Sequence, residues 1–356
     1  MTKSDDPVSP AFCPDGRTLL SGMIGALRFP LTVAIVCIHA NLPEVVTQAV
    51  DSPVAYNLVH AWLAQVLARV AVPLFFWISG YLYFLKVEQL TAGLYRRKLL
   101  TRLRTLFVPY VWWNVAAVLI TFLFHTYVFH FRSSVPRWGW HEWLSVLWDY
   151  RGDMPYNYPL WYVRNLLLMV VAAPLVWWLL RRWPRVSLLV AGVGWLLTGG
   201  YEWTTAFFFM LGAWMGIRKY VPVWPLWRRA WWVVAAYGVL SVAEAVWAAQ
   251  WPGVLHQVNI ALGIMATAGL AARYVAGGRK PWPLLGASSF WVYATHVIVV
   301  GLTQTWLFGA YRPTTDGGLV AVYVGQVVWA TGLTLALYVL LHRCLPRLTA
   351  LLTGGR

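Results

Sequence analysis

The stretch MIGALRFPLTVAIVCIHAN, residues 23–41, is almost entirely apolar and carries only two ionisable side chains, Arg28 and His39. A run of this length is what a helix needs to cross the hydrocarbon core of a bilayer. Similar runs recur as far as residue 341, and 60% of the 356 residues are hydrophobic whereas 11% are charged. The mean hydropathy is +0.60. The sequence therefore predicts an all-α polytopic membrane protein and excludes an ordinary soluble domain.

Apolar windows of roughly 20 residues mark the predicted membrane spans. They lie near residues 23–41, 58–85, 105–130, 160–180, 186–200, 203–217, 230–249, 254–276, 284–309 and 319–341. The fifth and sixth windows are short and are joined by TGGYE, so they can also form one broken hairpin. We therefore predict about ten transmembrane helices, with eight as the alternative. Either number is even, which places both termini on the same side.

The basic residues set the orientation, because cytoplasmic loops are enriched in Lys and Arg. Most of the 28 basic residues lie in the two terminal segments and in every second loop. The intervening loops contain Arg132, Arg137, Arg151 and Arg312. This asymmetry predicts cytoplasmic tails at residues 1–22 and 343–356 around a transmembrane domain at 23–342. It also explains the formal charge of +16 without nucleic-acid binding.

Three arginines, Arg28, Arg69 and Arg164, fall inside the predicted spans. Each costs about 2.5–3.5 kcal/mol at the bilayer centre, so such residues usually face a polar cavity. Arg28 and His39 project from one helical face, because eleven residues make three turns plus about 20°. Their Cα atoms are expected to be roughly 16 Å apart. The alternative is a snorkelling arginine and a histidine bonded to a backbone carbonyl.

The ninth window contains GASSFWVYATH, residues 286–296, with Ser289, Tyr293 and His296 within about 40° on one helical face. Such a face suits a polar site, although the same side chains can simply join helices through hydrogen bonds. In the second window, Ser79 and Gly80 are small enough to let another helix approach closely.

The segment YRRKLLTRLRTLFVPY, residues 95–110, approaches the third window with five basic residues. Its first three basic residues suit a topology signal, whereas Arg102 and Arg104 are close enough to the span to reach phosphates in a cavity. The long outer loop at 131–159 is rich in Trp and Tyr, and its segment HEWLSVLWD predicts a short amphipathic interfacial helix. The cysteines and histidines have no metal-ligand spacing, so no metal is expected.

Five segments in order resemble the membrane-bound acyltransferase-3 family. They are the Arg-x10-His pair at Arg28 and His39, PLFFWISGY at 73–81, the arginine-rich approach at 96–110, PLWYVRNL at 159–166, and the Ser-x3-Tyr-x2-His pattern ending at His296. Arg164 departs from the pattern, because an apolar residue is expected there. The resemblance covers most of the chain. It implies an integral O-acyltransferase of cell-envelope glycans in the bacterial inner (cytoplasmic) membrane.

The resemblance implies that cytoplasmic acyl-CoA, most commonly acetyl-CoA, is the donor substrate. The expected acceptor is a polysaccharide or a lipid-linked oligosaccharide within reach of the membrane lipid. The resemblance assigns His39 to catalysis and Arg28 to the CoA portion. We predict a catalytic set of His39, Arg28, Arg69, Arg164 and His296. We predict that the donor is bound by Arg28, Arg102, Arg104, Ser79, Ser289 and Tyr293.

His39 is expected to be the general base, because histidine has a reference pKa near 6.5 and can exchange protons at neutral pH. Arg69 or Arg164 is expected to offset charge on the thioester oxygen. An acyl-histidine intermediate is the alternative to direct transfer. A transporter or flippase of a lipid-linked glycan is the rival function, since it would also have buried arginines and an aromatic outer vestibule. A membrane scaffold would not need three arginines inside its spans.

Overall fold

The computed structural model describes residues 16–128, 139–149, 154–220 and 223–355. Most of the predicted N-terminal tail and parts of the long outer loop lie outside these ranges. Every regular element among the described residues is helical. The prediction of an all-α protein is therefore confirmed for this part of the chain.

Thirteen helical segments follow one another along the described residues. The first seven are α1 (Gly16–His39), α2 (Val54–Phe84), α3 (Ala92–Val128), α4 (Trp140–Trp148), α5 (Tyr158–Val171), α6 (Ala173–Arg182) and α7 (Pro184–Thr198). The others are α8 (Tyr201–Ile217), α9 (Val223–Val246), α10 (Gly253–Ala276), α11 (Pro283–Ala310), α12 (Asp316–Cys344) and α13 (Pro346–Thr353). Single turns also occur at Glu44–Thr47 and Ala248–Gln250.

Six of these helices, α1, α2, α3, α10, α11 and α12, are long and apolar enough to cross a membrane. A seventh candidate is the pair α5 and α6, which is bent by 63° where one helix ends and the next begins. Pro174 lies in the first turn of α6, where it cannot donate a backbone hydrogen bond. All ten predicted windows contain a helix, but the window at 160–180 is broken rather than continuous. That ten helices cross the membrane stays a prediction, because only these six are long and apolar enough on their own.

Two of the long helices contain irregular turns next to prolines. In α2, a π-helical turn at Ala61–Val66 and a 3-10 turn at Leu67–Val70 precede Pro73. Pro73 has no N–H to bond the carbonyl four residues earlier, which belongs to Arg69. In α3, a π-helical turn at Leu103–Phe107 likewise precedes Pro109. Such local unwinding often occurs at functional sites, and here it lies at or next to three of the singled-out arginines, Arg69, Arg102 and Arg104.

Helices α2 and α8 approach so closely that their backbones touch through glycines. A Cβ atom on Gly80 would lie 2.1 Å from the carbonyl oxygen of Phe209. A Cβ atom on Gly212 would lie 2.0 Å from that of Trp77, and one on Gly216 would lie 2.6 Å from that of Tyr81. Small residues four apart permit this packing in membrane helices. The close approach expected at Gly80 is therefore present.

Two peripheral helices complete the fold. Helix α4 coincides with the interfacial helix predicted from HEWLSVLWD, and its single fully buried side chain is Val146. Helix α13 lies in the segment predicted only as a C-terminal tail. It packs on α3, where the indole N–H of Trp113 donates to the carbonyl of Leu352 at 3.0 Å.

A buried carboxylate joins α9 to α10. Glu244 is 5% exposed, and it bonds Nδ1 of His256 and accepts a hydrogen bond from the amide of Asn259. One turn earlier on α9, the hydroxyl of Ser241 accepts a hydrogen bond from the indole N–H of Trp62 on α2 at 3.2 Å. These polar contacts tie α9 to both neighbours inside an otherwise apolar region.

We expect the variant Glu244→Ala to unfold at a lower temperature than the wild type. Removing the carboxylate leaves His256 and Asn259 without their partner, which costs about 1–3 kcal/mol for a buried polar group. For a chain of 356 residues, each kcal/mol shifts the unfolding midpoint by roughly 1–2 °C. The midpoint can be followed by tryptophan fluorescence in detergent. Glu202→Ala, which removes an exposed carboxylate from the first turn of α8, is the control, and equal midpoints for both variants would contradict the structural role.

Candidate active site

A cavity of about 180 Å³ opens between α1, α2, α3, α5, α8 and α11. It is lined by five of the six residues that the sequence predicts to bind the donor: Arg28, Ser79, Arg102, Ser289 and Tyr293. These five residues come from four helices. Three of the helices, α1, α2 and α3, are near the start of the chain, and α11 follows more than 150 positions later. Apolar side chains make up most of the remaining wall, as is usual for ligand cavities.

The polar groups of the cavity are held by local hydrogen bonds. The Ser79 hydroxyl lies 3.0 Å from that of Tyr162, which in turn reaches the carbonyl of Phe75 at 3.3 Å. The Ser289 hydroxyl donates back to the carbonyl of Leu285 at 2.7 Å. Among the described residues, no carboxylate forms an ion pair with Arg28 or Arg102. Their positive charges are therefore available for an anionic ligand.

A second space rich in positive charge, here called the mouth, adjoins the cavity. Tyr83 and Arg102 line both spaces, and the mouth adds Lys86, Arg97 and Lys98. The Lys98 ammonium donates to the carbonyl of Tyr83 at 2.7 Å and lies 4.7 Å from the centre of its ring. No acid is among the residues described around this mouth. Such a mouth suits a ligand with several phosphates, because Lys and Arg form charge-assisted hydrogen bonds with them.

The two predicted histidines lie side by side at the other end of the site. His39 ends α1, and its ring centre is 5.4 Å from that of His296 in the middle of α11. The ring of Tyr158 packs edge-on against His39 at 4.8 Å. His296 is fully buried, so the pair combines one partly accessible imidazole with one enclosed imidazole.

The hydrogen bonds of His296 fix its tautomer. Its Nδ1 lies 2.7 Å from the carbonyl of Tyr293 and 3.2 Å from that of Val292. A carbonyl only accepts hydrogen bonds, so Nδ1 carries a proton, and in the neutral ring Nε2 then has the lone pair. This Nε2 is buried and has no hydrogen-bond partner among the described residues. The enclosed imidazole thus offers an unused acceptor beside the partly accessible one.

An aromatic wall separates the cavity from the histidine pair. Tyr293 lines the cavity, and its ring centre lies 6.3 Å from that of His296. Its hydroxyl donates to the carbonyl of Pro159. Tyr162 packs edge-on against it at 6.2 Å. His39 is not among the residues that line the cavity, so Tyr293 is the side chain shared by both halves of the site.

Sequence reasoning missed the residues that hold the loop before α5. Asn157 is 2% exposed, and its backbone N–H donates to the side chain of Asn114 at 3.0 Å. Its amide donates to the carbonyl of Ala294 on α11 at 2.9 Å. Asn157 therefore fixes Tyr158 against His39. The only signal in the sequence was a lone asparagine within an aromatic loop.

Arg69 lies close enough to His39 for its positive charge to act on the imidazole. Its guanidinium donates to the side chain of Gln65, and its positive charge acts on His39 and on His60. No carboxylate among the described residues pairs with it. Sequence reasoning did not single out His60.

The remaining two arginines lie elsewhere. Arg104 is exposed and lines a shallow surface depression with Arg96 and Arg97 rather than the cavity. Arg164 donates to the carbonyl of Trp148 and lies 5.1 Å from the centre of its ring. It borders an apolar groove between α3, α4 and α5. The structure therefore does not bring Arg104 or Arg164 to the predicted site.

The apolar helices, the cationic cavity and the histidine pair together define a multi-pass membrane protein with an internal polar site. Residues 24–343 match the acyltransferase domain family, acyltransferase-3. The chain belongs to this family, so the resemblance to the family is confirmed.

One curated relative extends the comparison. Over 176 residues the chain is 27% identical to the succinoglycan biosynthesis protein ExoH of Rhizobium meliloti (strain 1021). This alignment covers 48% of the chain and 46% of ExoH, so the chain spans about half the length of this relative. No solved structure matches the chain.

Proposed function

We propose that the protein transfers an acyl group from cytoplasmic acyl-CoA to a hydroxyl of an envelope or exopolysaccharide sugar. Acetyl is the expected group, because it is the commonest in the family. The observation that carries the proposal is a phosphate-suited cavity, lined by Arg28 and Arg102, that shares Tyr293 with a histidine pair. The relationship to ExoH, a succinoglycan biosynthesis protein, supports a polysaccharide acceptor.

The proposal includes ten spans with both termini in the cytoplasm of a bacterial cell. In this orientation α1 runs outward, so Arg28 faces the cytoplasmic half and His39 the outer half. The basic mouth at Arg97 and Lys98 then opens to the cytoplasm, where acyl-CoA is made. The distribution of Lys and Arg supports this orientation.

The donor phosphates are proposed to lie against Arg28 and Arg102, with the acyl end directed toward Tyr293. Ser79 and Ser289 line the path between them. This arrangement uses the charged end of CoA for binding and leaves the thioester next to the aromatic wall. Movement of Tyr293 then exposes the thioester to His39.

In the proposed reaction, His39 takes the proton from the acceptor hydroxyl while the hydroxyl oxygen attacks the thioester carbonyl carbon. Arg69 offsets the negative charge that develops on the carbonyl oxygen. The carbon–sulfur bond then breaks, and the leaving thiolate takes the proton back from His39 to give free CoA. The lone pair on Nε2 of His296 accepts a hydrogen bond from protonated His39 and so positions it.

The proposal is tested with purified protein in nanodiscs, acetyl-CoA and de-O-acylated polysaccharide from a deletion strain. We expect free CoA, detected with a thiol-reactive dye, and a new ester on the glycan, detected by mass spectrometry. A transporter or flippase would release no CoA. Absence of CoA release with every acyl-CoA offered would overturn the proposal.

We expect Arg102→Ala to raise the KM for acetyl-CoA roughly ten- to hundredfold, because charge-assisted hydrogen bonds contribute about 1.5–3 kcal/mol. Arg104→Ala is the matched control, because Arg104 is an arginine only two residues away but lies outside the cavity. The KM of each variant for acetyl-CoA is obtained from initial rates of CoA release at varied acetyl-CoA concentrations. Equal KM values for the two variants would remove Arg102 from donor binding.

A further inference from the structure

The mouth beside the cavity is lined by four cationic residues, Lys86, Arg97, Lys98 and Arg102. Of these, only Arg102 also lines the cavity, together with Arg28. In the part of the chain that the structure describes, no ion pair involves Arg97 or Lys98. The mouth therefore holds positive charge that no carboxylate in that part of the chain neutralises.

Most of these cations project from a single face of α3. The residues of α3 that line the mouth recur at the i, i+3, i+4, i+7 spacing of one helical face. They are Leu94, Arg97, Lys98, Thr101, Arg102 and Thr105. Like charges four residues apart on a helix repel each other, and Lys98 and Arg102 are such a pair. Their clustering on one face is unfavourable for the helix itself, which indicates that an anion binds there.

Lys98 is held in position by the end of α2. Its ammonium donates to the carbonyl of Tyr83 at 2.7 Å and lies 4.7 Å from the centre of the Tyr83 ring. The last carbonyls of a helix have no partner within the helix, so this hydrogen bond satisfies one of them. An ammonium has three N–H donors, and the described residues use one of the three. The other two are available to a ligand in the mouth.

The cavity and the mouth differ in size. The cavity encloses about 180 Å³ and the mouth about 510 Å³. Sites for small-molecule ligands usually enclose about 300–1,000 Å³, so the cavity alone is too small for the whole of CoA. The slender pantetheine arm with its thioester suits the cavity, whereas the bulky nucleotide suits the mouth.

Helix α13 contributes backbone to the wall of the mouth. Gly354 follows its last turn with a φ of +72°, and a Cβ atom there would lie 2.0 Å from the carbonyl oxygen of Thr105. Glycine permits both this left-handed conformation and this close approach. The bond from Trp113 to Leu352 holds the same helix against α3. The mouth is therefore a space built between two helices rather than an open basic surface.

We propose that Lys98 and Arg97 bind the 3′-phosphate on the ribose of CoA, while Arg28 and Arg102 hold its diphosphate. CoA carries phosphate at these two places, and the cations of the mouth and of the cavity form two corresponding groups. Lys and Arg form charge-assisted hydrogen bonds with phosphate oxygens. The assignment rests on the proposed acyl transfer and makes Lys98 a specificity-determining residue. The protein then prefers acyl-CoA to donors that lack the 3′-phosphate.

Steady-state kinetics with two donors, acetyl-CoA and acetyl-3′-dephospho-CoA, test this assignment at saturating polysaccharide. We expect the wild type to have a KM roughly ten- to hundredfold higher for the dephospho donor, the loss expected for hydrogen bonds to a charged group. Lys98→Ala is expected to raise the KM for acetyl-CoA about tenfold. Its KM for the dephospho donor should stay within about twofold of the wild-type value, because the phosphate that Lys98 binds is already absent. The kcat is expected to stay unchanged.

Arg96→Ala is the matched control, because Arg96 belongs to the same basic segment but does not line the mouth. This variant should keep the wild-type ratio of the two KM values. Equal KM values for the two donors in the wild type would overturn the assignment. A Lys98→Ala variant in which both KM values rise by the same factor would also overturn it, because the effect would then not depend on the 3′-phosphate.

Binding of CoA without turnover separates this assignment from the proposed function. At equal concentrations, CoA should raise the unfolding midpoint of the wild type more than 3′-dephospho-CoA does, since the tighter ligand stabilises the folded state more. Lys98→Ala should abolish this difference. If the wild type shows the difference but releases no CoA from acetyl-CoA, the proposed transfer fails and the assignment stands. Equal midpoint shifts by the two ligands in the wild type would overturn the assignment, even if the wild type transfers acetyl groups.

Discussion

Replacement of His39 by alanine is expected to lower the rate of acyl transfer by about 10²- to 10⁴-fold, the range typical of a lost general base. His39 is half-buried, and the rings of Tyr158 and His296 fix the position of its imidazole. Donor binding is expected to survive, because the cavity lined by Arg28 and Arg102 does not include His39. The rate is measured as CoA release at saturating acetyl-CoA and polysaccharide.

Two controls separate chemistry from folding in this experiment. His39→Ala should retain the wild-type shift of its unfolding midpoint on adding acetyl-CoA, since a bound ligand stabilises the folded state. His342→Ala should keep full activity, because His342 is an exposed residue in the last turn of α12 and does not line the cavity. Turnover at the wild-type rate in a folded His39→Ala protein would rule His39 out of the mechanism.

Much of the helical layout could be predicted from apolar length and helical period alone. The apolar windows predicted a helix at each of ten positions. The period placed Arg28 and His39 on one face, and α1 uses that face for both parts of the site. Spacing along one helix is fixed by covalent geometry, so a single sequence can indicate which residues of that helix share a face.

The rotation of one helix against another could not be predicted in the same way. Ser289, Tyr293 and His296 share a face, yet the first two line the cavity and His296 lies behind Tyr293 with the other histidine. Arg102 and Arg104 have nearly the same sequence context, but only Arg102 points inward. These differences follow from interhelical packing and from the π-helical turn at Leu103–Phe107. The helical repeat of apolar residues in a single sequence indicates neither of them.

Residues that act through partners from distant segments were also missed. His60 packs against Tyr323, which is more than 260 positions away in the sequence. Glu244 bonds His256 at the start of the next helix. Asn157 works through two buried partners on other helices. In contrast, the motif GAWMG at 212–216 was visible in the sequence, and its small-xxx-small spacing would have predicted the close contact of α8 with another helix.

That contact gives the largest expected effect on folding. We expect Gly212→Val to prevent recovery of folded protein or to destabilise it by more than about 3 kcal/mol, the upper range for overpacking, because its Cβ would lie 2.0 Å from a backbone oxygen of Trp77. The clash separates α2 from α8 and distorts the cavity at Phe209. Gly332→Val on α12, where a Cβ meets nothing within 4 Å, is the matched control. Size-exclusion profiles and unfolding midpoints in detergent measure both variants, and a wild-type midpoint for Gly212→Val would show that the two backbones do not touch.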